Sequence, residues 1–130
     1  LRPVSAEHPD DESFPGLLIL RPEGRLFFVN AQTVGERIRA LVTEHKPRVV
    51  VLDFSRVPDI EYSALQMLMN ANKRAQELGA TLWLVDLTPG VLEVVQHSGL
   101  AEQLGREQLL FNTRVAIERY QALLAAEGKT

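Results

Sequence analysis

Cysteine is absent from the 130 residues, which excludes a disulfide framework and any thiolate-held metal centre and fits a reducing compartment. Long hydrophobic runs are absent too. The longest, VVVL and LWLV, fall far short of the ~20 residues that a bilayer-spanning helix needs, and no secretory signal is visible. There is no dense basic run: 14 Lys and Arg stand against 17 Asp and Glu, for a net charge of −3. That balance excludes a nucleic-acid backbone as the main partner. Lysine is confined to Lys46, Lys73 and Lys129, and histidine to His8, His45 and His97. Methionine occurs only at Met67 and Met69 while the chain opens on Leu1, which leads us to expect a piece of a longer protein. What remains is an ordinary globular mixture of the length of one domain. Such a chain can bury roughly two thirds of the surface its unfolded form exposes.

The periodicity predicts alternating strands and helices. Residues 1–15 carry Pro3, Pro9, Pro15 and the acidic stretch EHPDDES without any period, and read as a linker. GLLIL (16–20) and RLFFV (25–29) flank RPEG, which predicts a hairpin. From Thr33 a helical period sets in, with Val34, Ile38, Leu41 and Val42 on one face. Thr33 and Glu36 have capping-box spacing, Asn30 offers an earlier cap, and Pro47 ends the helix. RVVVLDF (48–54) is apolar at consecutive positions, as suits a central strand covered on both faces. A helix with the stripe Ala64, Leu65, Leu68, Ala71, Ala75 and Leu78 follows, closed by Gly79. TLWLV (81–85) is a further strand. Thr88 then caps a helix that opens on Pro89 and ends at a glycine cap in HSGL. After a short stretch around QLLF, a last helix starts near Asn112 with Ala116, Ile117, Tyr120, Leu123 and Leu124 on one face. Residues 126–130 should fray. The class is α/β: a mixed sheet of four to five strands packed with about four helices.

One turn concentrates polar chemistry. VPDIEYSAL (57–65) carries Asp59, Glu61, Tyr62 and Ser63 between a strand and a helix. With Asp53 and Asp86 at the ends of two expected parallel strands, it could form a cation or phosphoryl site, since ligands gather at the carboxyl ends of such strands. Against this, no acidic pair follows an early parallel strand, and no lysine lies on a late one. Nor is there a nucleophile elbow or a phosphate-cradling glycine loop. Phe27, Phe28, Trp83 and Met69 sit at core spacings. A plain structural reading covers the stretch as well: Ser63 and Gln66 have capping-box spacing, and Glu61 suits a helix amino terminus. These residues supply no catalytic set, no metal site and no cofactor site.

LDFSRVPDIEYSAL, together with ANKRAQELGATLWLVDLTPGVLEVVQHSGLAEQLG, resembles the STAS domain, the fold of bacterial anti-sigma-factor antagonists and of the cytosolic part of sulfate permeases. The resemblance runs from about Gly16 to Leu124. HPDDESFPGLLILRPEGRLFFVNA, and LFFVNA within it, resemble the permease (SulP) branch. In the antagonist branch the residue after the acid is a serine phosphorylated by a partner kinase. That position here is Tyr62, with Ser63 at the second serine and Ala64 at the glycine.

The resemblance implies a non-catalytic cytosolic regulatory and interaction domain of a SulP-type anion transporter, with sulfate or a similar anion as cargo. It places residues 1–15 as the linker from a membrane domain, 16–125 as the STAS domain and 126–130 as a tail. The chain would work at the cytoplasmic face of the inner (plasma) membrane and be soluble when isolated. The implied interaction loop comprises Asp53, Ser55, Asp59, Glu61, Tyr62 and Ser63. Its partner would be the membrane domain of the same transporter. A second copy of the domain, a regulatory protein, and weak binding of a nucleotide or anion are also admitted. The alternative is a free-standing antagonist-type module that binds a switch kinase or an anti-sigma factor.

Overall fold

Apolar residues alternate across three strands, β2 (Leu17–Arg21), β3 (Val49–Asp53) and β4 (Thr81–Val85), and both sets are buried. Successive side chains of a strand point to opposite faces. Leu18, Leu20, Val50, Leu52, Leu82 and Leu84 therefore enter one core, and Ile19, Val49, Val51, Trp83 and Val85 enter another. A strand buried on both faces must be covered by helices on both. The computed structural model, which describes residues 2–3, 15–105, 108–110 and 112–128, shows how that cover is built.

The sheet order follows the chain: β1 (Arg2–Pro3), β2, β3, β4 and β5 (Leu109–Leu110). β2 to β5 run parallel, and β1 lies antiparallel to β2 with Arg2 opposite Arg21. The sheet is mixed, as expected, but through Arg2–Pro3, inside the segment read as a linker, and not through a hairpin. Right-handed crossovers that always step in one direction leave their helices on one face. That face carries α1 (Phe28–His45), α2 (Tyr62–Glu77), α3 (Pro89–Gln96) and α4 (Gly99–Leu104). The other face is closed by α5 (Thr113–Gly128), which inserts Ala116 and Tyr120 over Trp83 and Val51.

Several local expectations change in the folded chain. RLFFV is not a strand: Leu26 makes a single parallel bridge to Ile60, and α1 starts at Phe28. The bridge takes up the extended backbone at Leu26, leaving the following residues free to coil. Thr33 therefore lies inside α1, its Oγ1 3.5 Å from the Val29 carbonyl. Asn30 serves the cap instead, accepting from the Phe27 amide at 2.5 Å and donating to the Arg25 carbonyl at 2.6 Å. Gly99 does not cap α3. Ser98 opens α4 by accepting from the Leu100 amide at 3.2 Å, and Gly99 lets α4 approach α2, where an added Cβ would stand 3.0 Å from the Met69 methyl. Gly79 does close α2, at φ +88°, with the Ala80 amide reaching back to the Ala75 carbonyl at 2.8 Å. α5 runs to Gly128, and within its last turn Glu127 pairs with Arg48.

Candidate functional site

The polar turn is assembled from two chain segments at the carboxyl ends of the strands. β3 ends on Asp53, which is only 2% exposed. The Asp53 carboxylate accepts from the Ser55 amide at 2.9 Å, from Arg21 Nε at 3.1 Å and from Thr113 Oγ1 at 3.2 Å. Three elements thus converge on one carboxylate: the end of β2, the turn after β3 and the first residue of α5. Burial pushes the Asp53 carboxyl up, but the Ser55 amide and hydroxyl and the Arg21 guanidinium outweigh it and hold it below the usual range. Its neighbour Asp86, at the end of β4 with φ +56°, goes the other way. Burial and the Asp53 charge raise its carboxyl, opposed by Arg21 and by the Thr113 amide.

Beyond Asp53 the turn is laced to the segment after β2. The Gly24 amide donates to the Arg56 carbonyl at 2.9 Å, the Leu26 amide to the Asp59 carbonyl at 3.0 Å, and the Glu61 amide to the Leu26 carbonyl at 2.9 Å. Arg25 pairs with Asp59 at 3.0 Å and Arg56 approaches Glu23 at 3.6 Å. These exposed pairs each contribute little in water. The backbone lacing and the burial of Leu26, Val57 and Ile60 set the shape.

Glu61, not Ser63, is the cap residue of α2, and it makes no side-chain cap bond. The expected Ser63–Gln66 capping box is not formed. The Leu26 carbonyl captures the Glu61 amide, so Glu61 is the last extended residue and Ser63 is already inside the first turn. Ser63 Oγ instead lies 3.4 Å from Glu61 Oε2. Tyr62 opens the helix and is 62% exposed. Asp53, Ser55, Asp59, Glu61, Tyr62 and Ser63 therefore span one strand-to-helix connection, from the end of β3 to the first turn of α2, with Asp53 buried beneath it. Nothing in the local pattern pointed to Arg21 and Thr113, which stand 32 and 60 residues from Asp53, nor to Arg25 and Phe27 beside the loop. The only usable signal was the convergence of parallel strand ends.

No nucleophile, base and electrophile come together here among the described residues. His45 is exposed beside Glu44, and His97 Nδ1 is 2.8 Å from the Glu93 carbonyl; His8 lies outside the described residues. No three His, Asp or Glu side chains there are grouped to hold a metal ion, and no helix there is long and apolar enough to cross a membrane. What this stretch offers is a mostly polar surface laced by backbone hydrogen bonds, with the exposed ring of Tyr62 on it and that of Phe27 on the adjoining segment.

The fold and loop can be set beside known proteins. The family model described as STAS domain matches residues 8–116. The chain is 28% identical over 130 residues to High affinity sulfate transporter 2 of Stylosanthes hamata, which covers 92% of this chain and 20% of that protein. It spans about a fifth of the length of the curated relatives it matches. A sulfate transporter family protein from Wolinella succinogenes superposes with a TM-score of 0.77 at 22% identity, over 91% of this chain and 95% of that one. The anti-sigma factor antagonist SpoIIAA, in its unphosphorylated form, superposes with a TM-score of 0.70 at 16% identity, over 86% and 94%. At such identities the two superpositions speak for the fold. With the family model matching most of its length, this chain belongs to the STAS domain family.

Proposed function

We propose that this chain is the non-catalytic, cytosolic regulatory and interaction domain of a SulP-type transporter of sulfate or a similar anion. The observation that carries this reading is the likeness to sulfate transporters along 92% of the chain, which occupies only a fifth of those proteins. Transport would then reside in membrane helices outside this chain. Residues 1–15 would link to them, 16–125 would form the working domain, and 126–130 the tail. The loop around Asp59, Glu61, Tyr62 and Ser63 is its contact surface, and the membrane domain of the same polypeptide is its partner. Tyr62 supports this role, because an exposed aromatic at a rigid helix start is the kind of side chain that interface cores use.

The fold likeness to the anti-sigma factor antagonist favours a second reading, a free-standing switch module. Tyr62 weighs against it, since a serine kinase cannot use a tyrosine at the acceptor position. The parent gene separates the two: roughly ten upstream apolar segments, each long enough for a bilayer, are expected. Sulfate uptake by that full-length protein should fall when this domain is deleted. Unimpaired uptake, or a parent without such segments, sinks the transporter reading. Stoichiometric phosphate on Ser63 after incubation with an anti-sigma-type kinase would favour the switch.

A further inference from the structure

Three exposed apolar side chains lie at the carboxyl end of the sheet. Phe27 is 42%, Val29 72% and Tyr62 62% exposed. Each lies within three residues of the Leu26–Ile60 bridge, which holds the starts of α1 and α2 side by side. The loops beneath are fixed by buried side chains and backbone bonds, so the three are presented on a firm base. Arg25 stacks over the Phe27 ring at 5.9 Å while pairing with Asp59, which neutralises that side of the patch. On the other side the Glu61 carboxylate has no cationic partner among the described residues, and its side chain accepts there from Ser63 Oγ at 3.4 Å.

Two observations say what covers this patch. The first is the path of the chain. β1 runs antiparallel to β2 with Arg2 opposite Arg21, so the polypeptide enters the sheet at the same end as Phe27 and Tyr62. The second is charge. The residues around the patch, Glu23, Arg25, Arg56, Asp59 and Glu61, sum to −1, so they offer no basic cluster to an anionic lipid surface. Cytoplasmic ends of membrane helices carry an excess of Lys and Arg.

We infer that Phe27, Val29 and Tyr62 form an apolar plug seated against the cytoplasmic helix ends of the membrane domain of the same polypeptide, with Glu61 pairing a Lys or Arg there. This rests on the transporter reading and specifies its contact: α1 contributes as much as the loop, and one acidic side chain sets the register. An apolar centre supplies adhesion and a rim charge supplies orientation.

The test uses the full-length transporter with cysteines removed from its membrane domain. This chain has none of its own, so Val29→Cys and Leu78→Cys are each unique within the domain. Leu78 is 52% exposed but caps the far end of α2, and serves as the control. Paired with cysteines at Lys or Arg positions on the cytoplasmic helix ends, Val29→Cys should cross-link and Leu78→Cys should not. Glu61→Lys should lower uptake at least about fivefold, the effect of losing one significant interface contact. Reversing the cross-linked cation to Glu should restore it. The inference is overturned if Leu78→Cys cross-links as well as Val29→Cys, if Val29→Cys couples only to its own copy in a second subunit, or if Glu61→Lys transports normally. Each of those results can occur in a transporter whose uptake still depends on the domain, so they are separable from failure of the transporter reading itself. Melting of the isolated variants as wild type excludes unfolding as the cause.

Discussion

At the amino-terminal end of the parallel strands the turns are closed by the backbone. The Gly16 carbonyl accepts from the Arg48 amide at 2.7 Å and the Val49 amide at 3.1 Å, and the Thr81 amide donates to the Arg48 carbonyl at 2.9 Å. Gly16 at φ +86°, Lys46 at φ +49° and Gly79 at φ +88° supply the sharp bends. At the carboxyl end the backbone lacing is joined by a buried side-chain hub, through Asp53 to Arg21, Ser55 and Thr113. The difference between the two ends is this buried charge. It is at the end with the buried charge that exposed Tyr62, Phe27 and Val29 lie.

The largest expected effect breaks the amino-terminal end. Gly16→Ala places a Cβ at positive φ and against the Tyr120 hydroxyl, which donates to the Pro15 carbonyl. Left-handed strain and one lost hydrogen bond together should destabilise the domain by about 2–3 kcal/mol in chemical denaturation. A loss too small to resolve would show that the glycine turn is not what holds this end.

Asp53→Asn strikes the charged end. It keeps an acceptor for the Ser55 amide but loses the charge-assisted bonds, so about 2 kcal/mol should go at neutral pH. The effect has a definite pH dependence. A carboxyl held below its unfolded value, ~3.9, stabilises the fold above that value and ceases to do so as pH falls through its folded one. Wild type and Asp53→Asn should therefore converge in stability in strong acid. A gap unchanged from neutral to acidic pH would mean that Asp53 acts by shape alone.

Asp86→Asn should do the opposite, and less. A carboxyl raised above its unfolded value contributes below that value and loses the contribution as pH rises through the folded one. Asparagine tolerates positive φ and can still accept from the Thr113 amide. The variant should melt slightly higher than wild type at neutral pH and show no gain in acid. A lower melting temperature at neutral pH would mean that the ionised Asp86 is needed at the start of α5.

Glu127→Gln is the smallest. Arg48 holds the Glu127 carboxyl below its usual range, yet both side chains are half exposed and screened by water and salt. Its denaturation midpoint should match wild type, and a clear drop would give this distant pair a structural weight that its exposure denies.

The sequence was most readable where one segment decides for itself. Thr88 accepts from the Val91 amide at 3.4 Å and Asn112 from the Val115 amide at 2.9 Å, as their positions before helical periods implied. It was least readable at RLFFV, whose β-prone residues predict a strand. There the Leu26–Ile60 bridge, a contact across 34 residues, hands Phe28 to a helix. The same bridge moves the start of α2 to Tyr62 and leaves Ser63 without a capping role.

Sequence by itself determined the alternation of strands and helices, the burial of β3 on both faces, the glycine that closes α2 and the polar turn after Asp53. These follow from local preference and from the period of apolar residues, which are properties of short segments. Tertiary structure alone decided that Arg21 and Thr113 would meet on Asp53, that Asp53 and Asp86 would shift in opposite directions, and that Phe27 and Val29 would stand beside Tyr62. Each of these depends on which strand ends and helix starts share one edge of the sheet. Spatial neighbourhood across tens of residues is set by the packing of whole elements, and no local pattern in the chain records it.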